Sequence, residues 1–249
     1  MRYEPQSTGY PYYFLVPTSY LMKKHIPNAV TCLNLFCGCL GVVFAFEGKL
    51  EWASYSILFA AILDFLDGML ARLLNAYSDI GKDLDSLADV VSFGVLPSVI
   101  IYQLFLGATS NIDWLKYSAF LIAVFSGLRL AKFNNDIRQS ENFIGLPTPA
   151  NAMLIASLPF IAAEGMFASS LLQNPIFLAV FSLIMGLLLV SEIHLMSLKF
   201  SGLEFSKNLH RYILVISSLI LVIIFKFAAV PLIMVAYFTI SFIQFRATK

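Results

Sequence analysis

The sequence is a succession of apolar runs, most of them about 20 residues long, and this pattern constrains the fold more than any motif does. Lipid offers no partner for backbone N–H and C=O groups, so runs of about this length cross a bilayer as α-helices. They fall near residues 29–46, 52–74, 86–107, 115–133, 149–167, 174–195, 211–226 and 228–245. The chain is therefore expected to be an all-α integral membrane protein with about eight transmembrane helices. Only KFAAVP separates the last two runs, which leaves open two separate spans or one broken, re-entrant unit. Of the 249 residues, 59% are apolar and 12% charged, more apolar than one soluble core can bury.

Residues 1–28 are too long and too aromatic for a secretory leader. Within them, 18–26 (TSYLMKKHI) reads as a short interfacial segment with Lys23, Lys24 and His25 at headgroup level. A formal net charge of +1, with no basic tail, gives no sign of a nucleic-acid partner. Cys32, Cys37 and Cys39 share one apolar run and read as small packing residues rather than as a metal set. No loop is long enough to hold a second domain.

Eight spans with both termini on one side put thirteen of the sixteen Lys and Arg residues on that side. Only Lys49, Lys116 and Lys226 fall on the other. The positive-inside rule then predicts cytoplasmic termini. The stretch DFLDGMLARLLNAYSDIGKDLDSLAD, residues 64–89, runs from the end of the second helix through a cytoplasmic loop into the third. It holds six of the fifteen acidic residues.

At about 100° per residue, Asp64, Asp67, Gly68, Ala71 and Arg72 share an arc of about 140° on the second helix. Asp85 and Asp89, at i and i+4, share a face of the third. Two carboxylate pairs thus leave consecutive helices at the cytoplasmic side, where an antiparallel hairpin can turn them toward each other. Asp64 or Asp67 alone could pair with Arg72. Four facing carboxylates need more cation than that, and ionised groups at membrane depth mark functional sites. Oxygen-only ligands favour Mg²⁺, Mn²⁺ or Ca²⁺ over zinc. Four carboxylates suffice for two ions about 3.5–4 Å apart, a pair that clamps phosphate. Gly68, Ala71 and, in the connecting loop, Gly81 remove bulk beside them. Asp79 and Asp83 read as solvated loop acids without a role.

Written as D-x2-D-G-x2-A-R-x8-G-x3-D-x3-D, residues 64–89 resemble the signature of the CDP-alcohol phosphotransferase family at every defined position. The resemblance implies a six-helix catalytic core over 28–195, after an N-terminal segment (1–27) and before two additional helices (196–249). It also implies two divalent metal ions, Mg²⁺ or Mn²⁺, held by Asp64, Asp67, Asp85 and Asp89. Asp89 would serve as general base as well. Asp64, Gly68, Ala71, Arg72 and Gly81 would line a CDP pocket, and the protein would be a homodimer.

DSLADVVSFGVLPS (85–98), FIGLPTPANA (143–152), NAVTCLNLFCG (28–38) and LRLAKFNN (128–135) are similar to one bacterial and archaeal branch of the family. Its members transfer a phosphatidyl group from CDP-diacylglycerol to L-serine, which implies a cell-membrane enzyme with a cytoplasmic active site. Other acceptors, such as glycerol 3-phosphate or an inositol phosphate, stay open. The serine carboxylate or the lipid phosphate calls for a cation, and Lys82, Arg129, Lys132 and Arg138 are the candidates. Asn134, Asn135 and Asn151 lie near the same level. A divalent-cation transporter is the rival of another class, but its path would need polar groups through to the far side, and the last four spans are nearly bare of them.

Overall fold

A computed structural model describes residues 18–108, 112–135, 143–163, 169–195 and 205–247. Helix α1 spans Thr18–Phe46, α2 Leu50–Leu73 and α3 Asp79–Asp89. A π-helical segment, Val90–Val95, carries α3 directly into α4, Leu96–Gly107. A 3₁₀ stretch, Asp113–Phe120, leads into α5, Leu121–Asn135. Then come α6 (Thr148–Ala163), the short α7 (Ser169–Leu172) and α8 (Pro175–Val190). Helices α9 (Phe205–Phe225) and α10 (Ala229–Ala247) follow, joined by a 3₁₀ turn at Lys226–Ala228 and packed against each other.

Among the described residues, four stretches are long and apolar enough to cross a membrane: His25–Phe46, Asp79–Gly107, Asp113–Asn135 and Leu209–Ile243. Helices α6 and α8 are apolar but shorter.

Three expectations about local structure change. The segment 18–26 is not separate, because α1 runs through it and through Pro27. The third helix starts at Asp79, so Asp79, Gly81 and Asp83 are helical rather than in a loop. Ser78 explains that start: it is extended and its Oγ accepts the Gly81 N–H at 3.0 Å, an N-cap worth about 1 kcal/mol. Lastly, α8 stops at Val190, short of residue 195. Ser191 turns extended there, and the orphan Leu188 carbonyl accepts the Leu146 N–H at 3.0 Å. The strands β1 (Phe143–Ile144) and β2 (His194–Leu195) then pair antiparallel beside it.

The turns that reverse the chain are legible in the backbone. Gly48 (φ +77°) and Asn75 (φ 49°) take the left-handed conformation just past α1 and α2. Lys49 N–H reaches back to the Phe44 carbonyl, and Ala76 N–H to Ala71, each at 2.9 Å. Both are Schellman closures, which satisfy the last helical carbonyls. They reverse the chain after α1 and again after α2, and both α2 and α3 pack against α1. The main core lies among α1, α2, the π segment, α4, α5, α6 and α8 around Ile57, Phe93, Leu96, Ile100 and Ile155.

Candidate active site

The α2–α3 hairpin gathers the carboxylates. Asp64, Asp67 and Asp85 each present an oxygen, and the three oxygens lie within 4.8 Å of one another. Asp67 is buried, and Thr31 of α1 donates a hydrogen bond to its Oδ2 at 2.6 Å, fixing the carboxylate toward its neighbours. Asp89 does not belong to this trio. It lies one helical turn deeper along α3, 8% exposed, with Oδ1 buried and unpaired.

The trio opens onto a cavity of about 820 Å³ between the middle of α1, the end of α2 and the start of α3. Gly68, Ala71, Gly81 and Lys82 line it; Arg72 does not, and its Nε donates to the Gly68 carbonyl at 3.0 Å. The two glycines differ. A Cβ on Gly68 would meet nothing within 4 Å, so the space there is cavity. A Cβ on Gly81 would stand 2.9 Å from Asn28 Oδ1 and 3.0 Å from Ser78 Oγ, so Gly81 is required by the protein's own packing. Asn28, Thr31 and Tyr77 also line the cavity. Sequence reasoning missed them; the only signal was a pair of polar residues three apart at the mouth of the first apolar run.

The candidate cations separate equally clearly. Arg129 is 7% exposed, its guanidinium 5.9 Å from the Phe133 ring and near enough to Asp89 and to Tyr237 of α10 to interact electrostatically. It points inward rather than out to a headgroup. Lys132 is exposed and paired with Glu192 at 3.2 Å. Lys82 Nζ donates to the Asn134 carbonyl at 3.1 Å. Arg138 lies outside the described residues. Asn134 Nδ2 is engaged by Ser86 and Asn135 Nδ2 by the Ala131 carbonyl, whereas Asn151 is fully buried with both amide atoms unpaired.

The donor set suits hard divalent cations: three carboxylates converge, and among the described residues no Lys or Arg forms a salt bridge with them. Neither His nor Cys joins the group, which disfavours zinc.

Residues 24–191 match the CDP-alcohol phosphatidyltransferase family. The chain is similar to a CDP-diacylglycerol–serine O-phosphatidyltransferase of Helicobacter pylori (strain ATCC 700392 / 26695), 33% identical over 220 residues, 88% of this chain and 90% of the relative. A Bacillus subtilis (strain 168) protein of the same description is 36% identical over 170 residues, 68% of this chain and 89% of its own. One from Methanocaldococcus jannaschii is 34% identical over 169 residues, 68% and 72% of the two chains.

Proposed function

The chain belongs to the CDP-alcohol phosphatidyltransferase family, and from that premise we propose how its residues carry out the reaction. It transfers the phosphatidyl group of CDP-diacylglycerol to the hydroxyl of L-serine, giving phosphatidylserine and CMP. The observation that carries the residue-level reading is the convergence of Asp64, Asp67 and Asp85 on one open cavity, with Asp89 buried directly behind them.

Asp64, Asp67 and Asp85 would hold the divalent ions, two Mg²⁺ or Mn²⁺, with the Asp89 carboxylate one helical turn behind them. When bound, such ions neutralise the crowded carboxylates and stabilise charge on the diphosphate and on departing CMP. Gly68 and Ala71 leave room for the cytidine, with Gly81 shaping the far wall; Arg72 stands outside the cavity lining, on the Gly68 carbonyl. Lys82, exposed at the cavity edge, faces the lipid phosphate. Asp89 Oδ1 takes the proton of the serine hydroxyl, which is a poor nucleophile while it keeps that proton. The serine oxygen then bonds to the lipid-side phosphorus as the bond from that phosphorus to the CMP oxygen breaks. Arg129 answers the serine carboxylate; Lys132 and Arg138 are the weaker candidates for that task.

We place the catalytic core at 28–195, after the N-terminal segment 1–27 and before the α9–α10 pair (196–249). We read eight spans with both termini cytoplasmic, which the charge bias supports and which would put the cavity at the cytoplasmic face; the likeness to bacterial relatives supports a bacterial inner membrane. The long, apolar and largely exposed α9–α10 pair suits contact with lipid and with a second copy in a homodimer. The test is CMP release from CDP-diacylglycerol by the purified protein. It should require both L-serine and Mg²⁺ or Mn²⁺ and stop with chelator. Equal release with glycerol 3-phosphate in place of serine would refute the acceptor; release unaffected by chelator would refute the metals.

A further inference from the structure

Behind the carboxylate trio, hydrogen-bonding atoms are buried without partners. They are both amide atoms of Asn34, both of Asn151, Nε of Arg129, Oδ1 of Asp89 and Oγ of Ser126. Asn34 and Asn151 are 0% exposed. Leaving a buried polar atom unpaired costs about 1–3 kcal/mol. Folded proteins therefore rarely tolerate such a group unless something else pairs it.

Helix registers bring these side chains to one depth. Packing of Gly41 against Ser56 and Leu96 fixes three helices relative to one another. Seven residues along α1 from Gly41 lead to Asn34; seven from Leu96 lead to Asp89; eight from Ser56 lead to Asp64. At about 1.5 Å per residue the steps along α1 and α2 are about 10–12 Å; the step from Leu96 to Asp89 crosses the π segment and is shorter, and there Ser92 Oγ donates to the Asn34 carbonyl at 3.1 Å. On the other side, the Tyr55 and Phe160 rings touch at 5.4 Å between centroids. Nine residues from each, along antiparallel α2 and α6, lead to Asp64 and Asn151. A Cβ on Gly94 would lie 3.0 Å from Ser126 Cβ, which sets α5 against the π segment and brings Arg129 level with Asp89 to within a turn. Four helices and the α3–π junction thus contribute Asn34, Asp64, Arg129, Asn151 and Asp89 to one polar layer.

We propose that Asn34 and Asn151, with Arg129, form the acceptor subsite and select an amino acid over other alcohols. The inference rests on the transfer reaction above and adds residues to it. An α-amino acid has a carboxylate that needs donors and an ammonium that needs acceptors. Each buried carboxamide supplies both, a donor at Nδ2 and an acceptor at Oδ1. Arg129 supplies the cation for the carboxylate, and Asp89 the acceptor beside the hydroxyl. A phosphorylated acceptor would instead bring about two negative charges into a layer that already holds carboxylates and one arginine.

The test uses the full chain in mixed micelles, with initial rates against L-serine and, separately, against CDP-diacylglycerol. Asn34→Leu and Asn151→Leu should each raise the serine KM at least tenfold and leave the CDP-diacylglycerol KM within about twofold. The wild-type preference for L-serine over ethanolamine should also shrink. Asn34→Ser and Asn151→Ser, which keep a smaller polar group, should fall between and serve if the leucine variants do not fold. An unchanged serine KM overturns the assignment, and so does a parallel change in both KM values, the mark of a merely structural role. A wild-type protein that releases no CMP with serine would instead refute the underlying reaction, a result visible before any variant is made.

Discussion

Gly68→Ala separates a glycine kept for a ligand from one kept for the protein. Gly68 lies inside α2, where alanine is favoured over glycine by about 1 kcal/mol. An ideal Cβ there meets no heavy atom within 4 Å, so no clash offsets that gain. Considered without ligand, the variant should be as stable as wild type or more so. The added methyl, however, projects into the cavity beside Asp64 and Asp67, where the proposed nucleotide site needs close approach to the backbone. A displacement of about 1 Å at a reacting centre costs about 10²-fold in rate. The expected result is a fall of about 100-fold in kcat/KM for CDP-diacylglycerol, with a melting temperature in detergent at or above wild type. CMP release across a CDP-diacylglycerol series and a thermal melt of the same preparation give both numbers. Wild-type kcat/KM would show that no ligand approaches α2 there. A joint loss of activity and stability would equally refute the reasoning, because it would mean that the protein itself fills the space. Gly81→Ala is the contrast: with Asn28 Oδ1 and Ser78 Oγ within about 3 Å of its new methyl, it should lower the melting temperature.

Two further outcomes follow from the site. Asp89→Asn should reduce kcat by about 10³-fold or more while the CDP-diacylglycerol KM stays within about threefold, since a carboxamide cannot take the serine proton; wild-type turnover in that variant would remove Asp89 from the mechanism. Thr31→Val deletes the 2.6 Å hydrogen bond to Asp67, a bond to a carboxylate worth about 1.5–3 kcal/mol. The Mg²⁺ or Mn²⁺ concentration for half-maximal rate should then rise about tenfold or more, and an unchanged activation curve would show that Thr31 does not orient the ligand.

By itself the sequence determined the solvent and the chemistry. Apolar runs of membrane-crossing length leave an all-helical chain as the solution in lipid, and the fixed spacing of Asp64, Asp67, Asp85 and Asp89 on helical periods carries the family signature. Both are local properties, readable along one helix at a time. Element ends were less legible. Ser78 caps α3 eight residues before its apolar run begins, so a hydropathy reading starts that helix too late. The π segment at Val90–Val95 left no periodic signal.

Only the tertiary structure decided which side chains share a depth. It sets Asp89 apart from the carboxylate trio, gives Gly68 open space and Gly81 close neighbours, and turns Arg129 inward toward Asp89. It also buries Asn34 and Asn151, 117 residues apart in sequence, each with both amide atoms unpaired. The physical reason is that depth is fixed by contacts between helices. Gly41 against Ser56 and Leu96, and Tyr55 against Phe160, set the registers, and no single helix records its partner's register in its own periodicity.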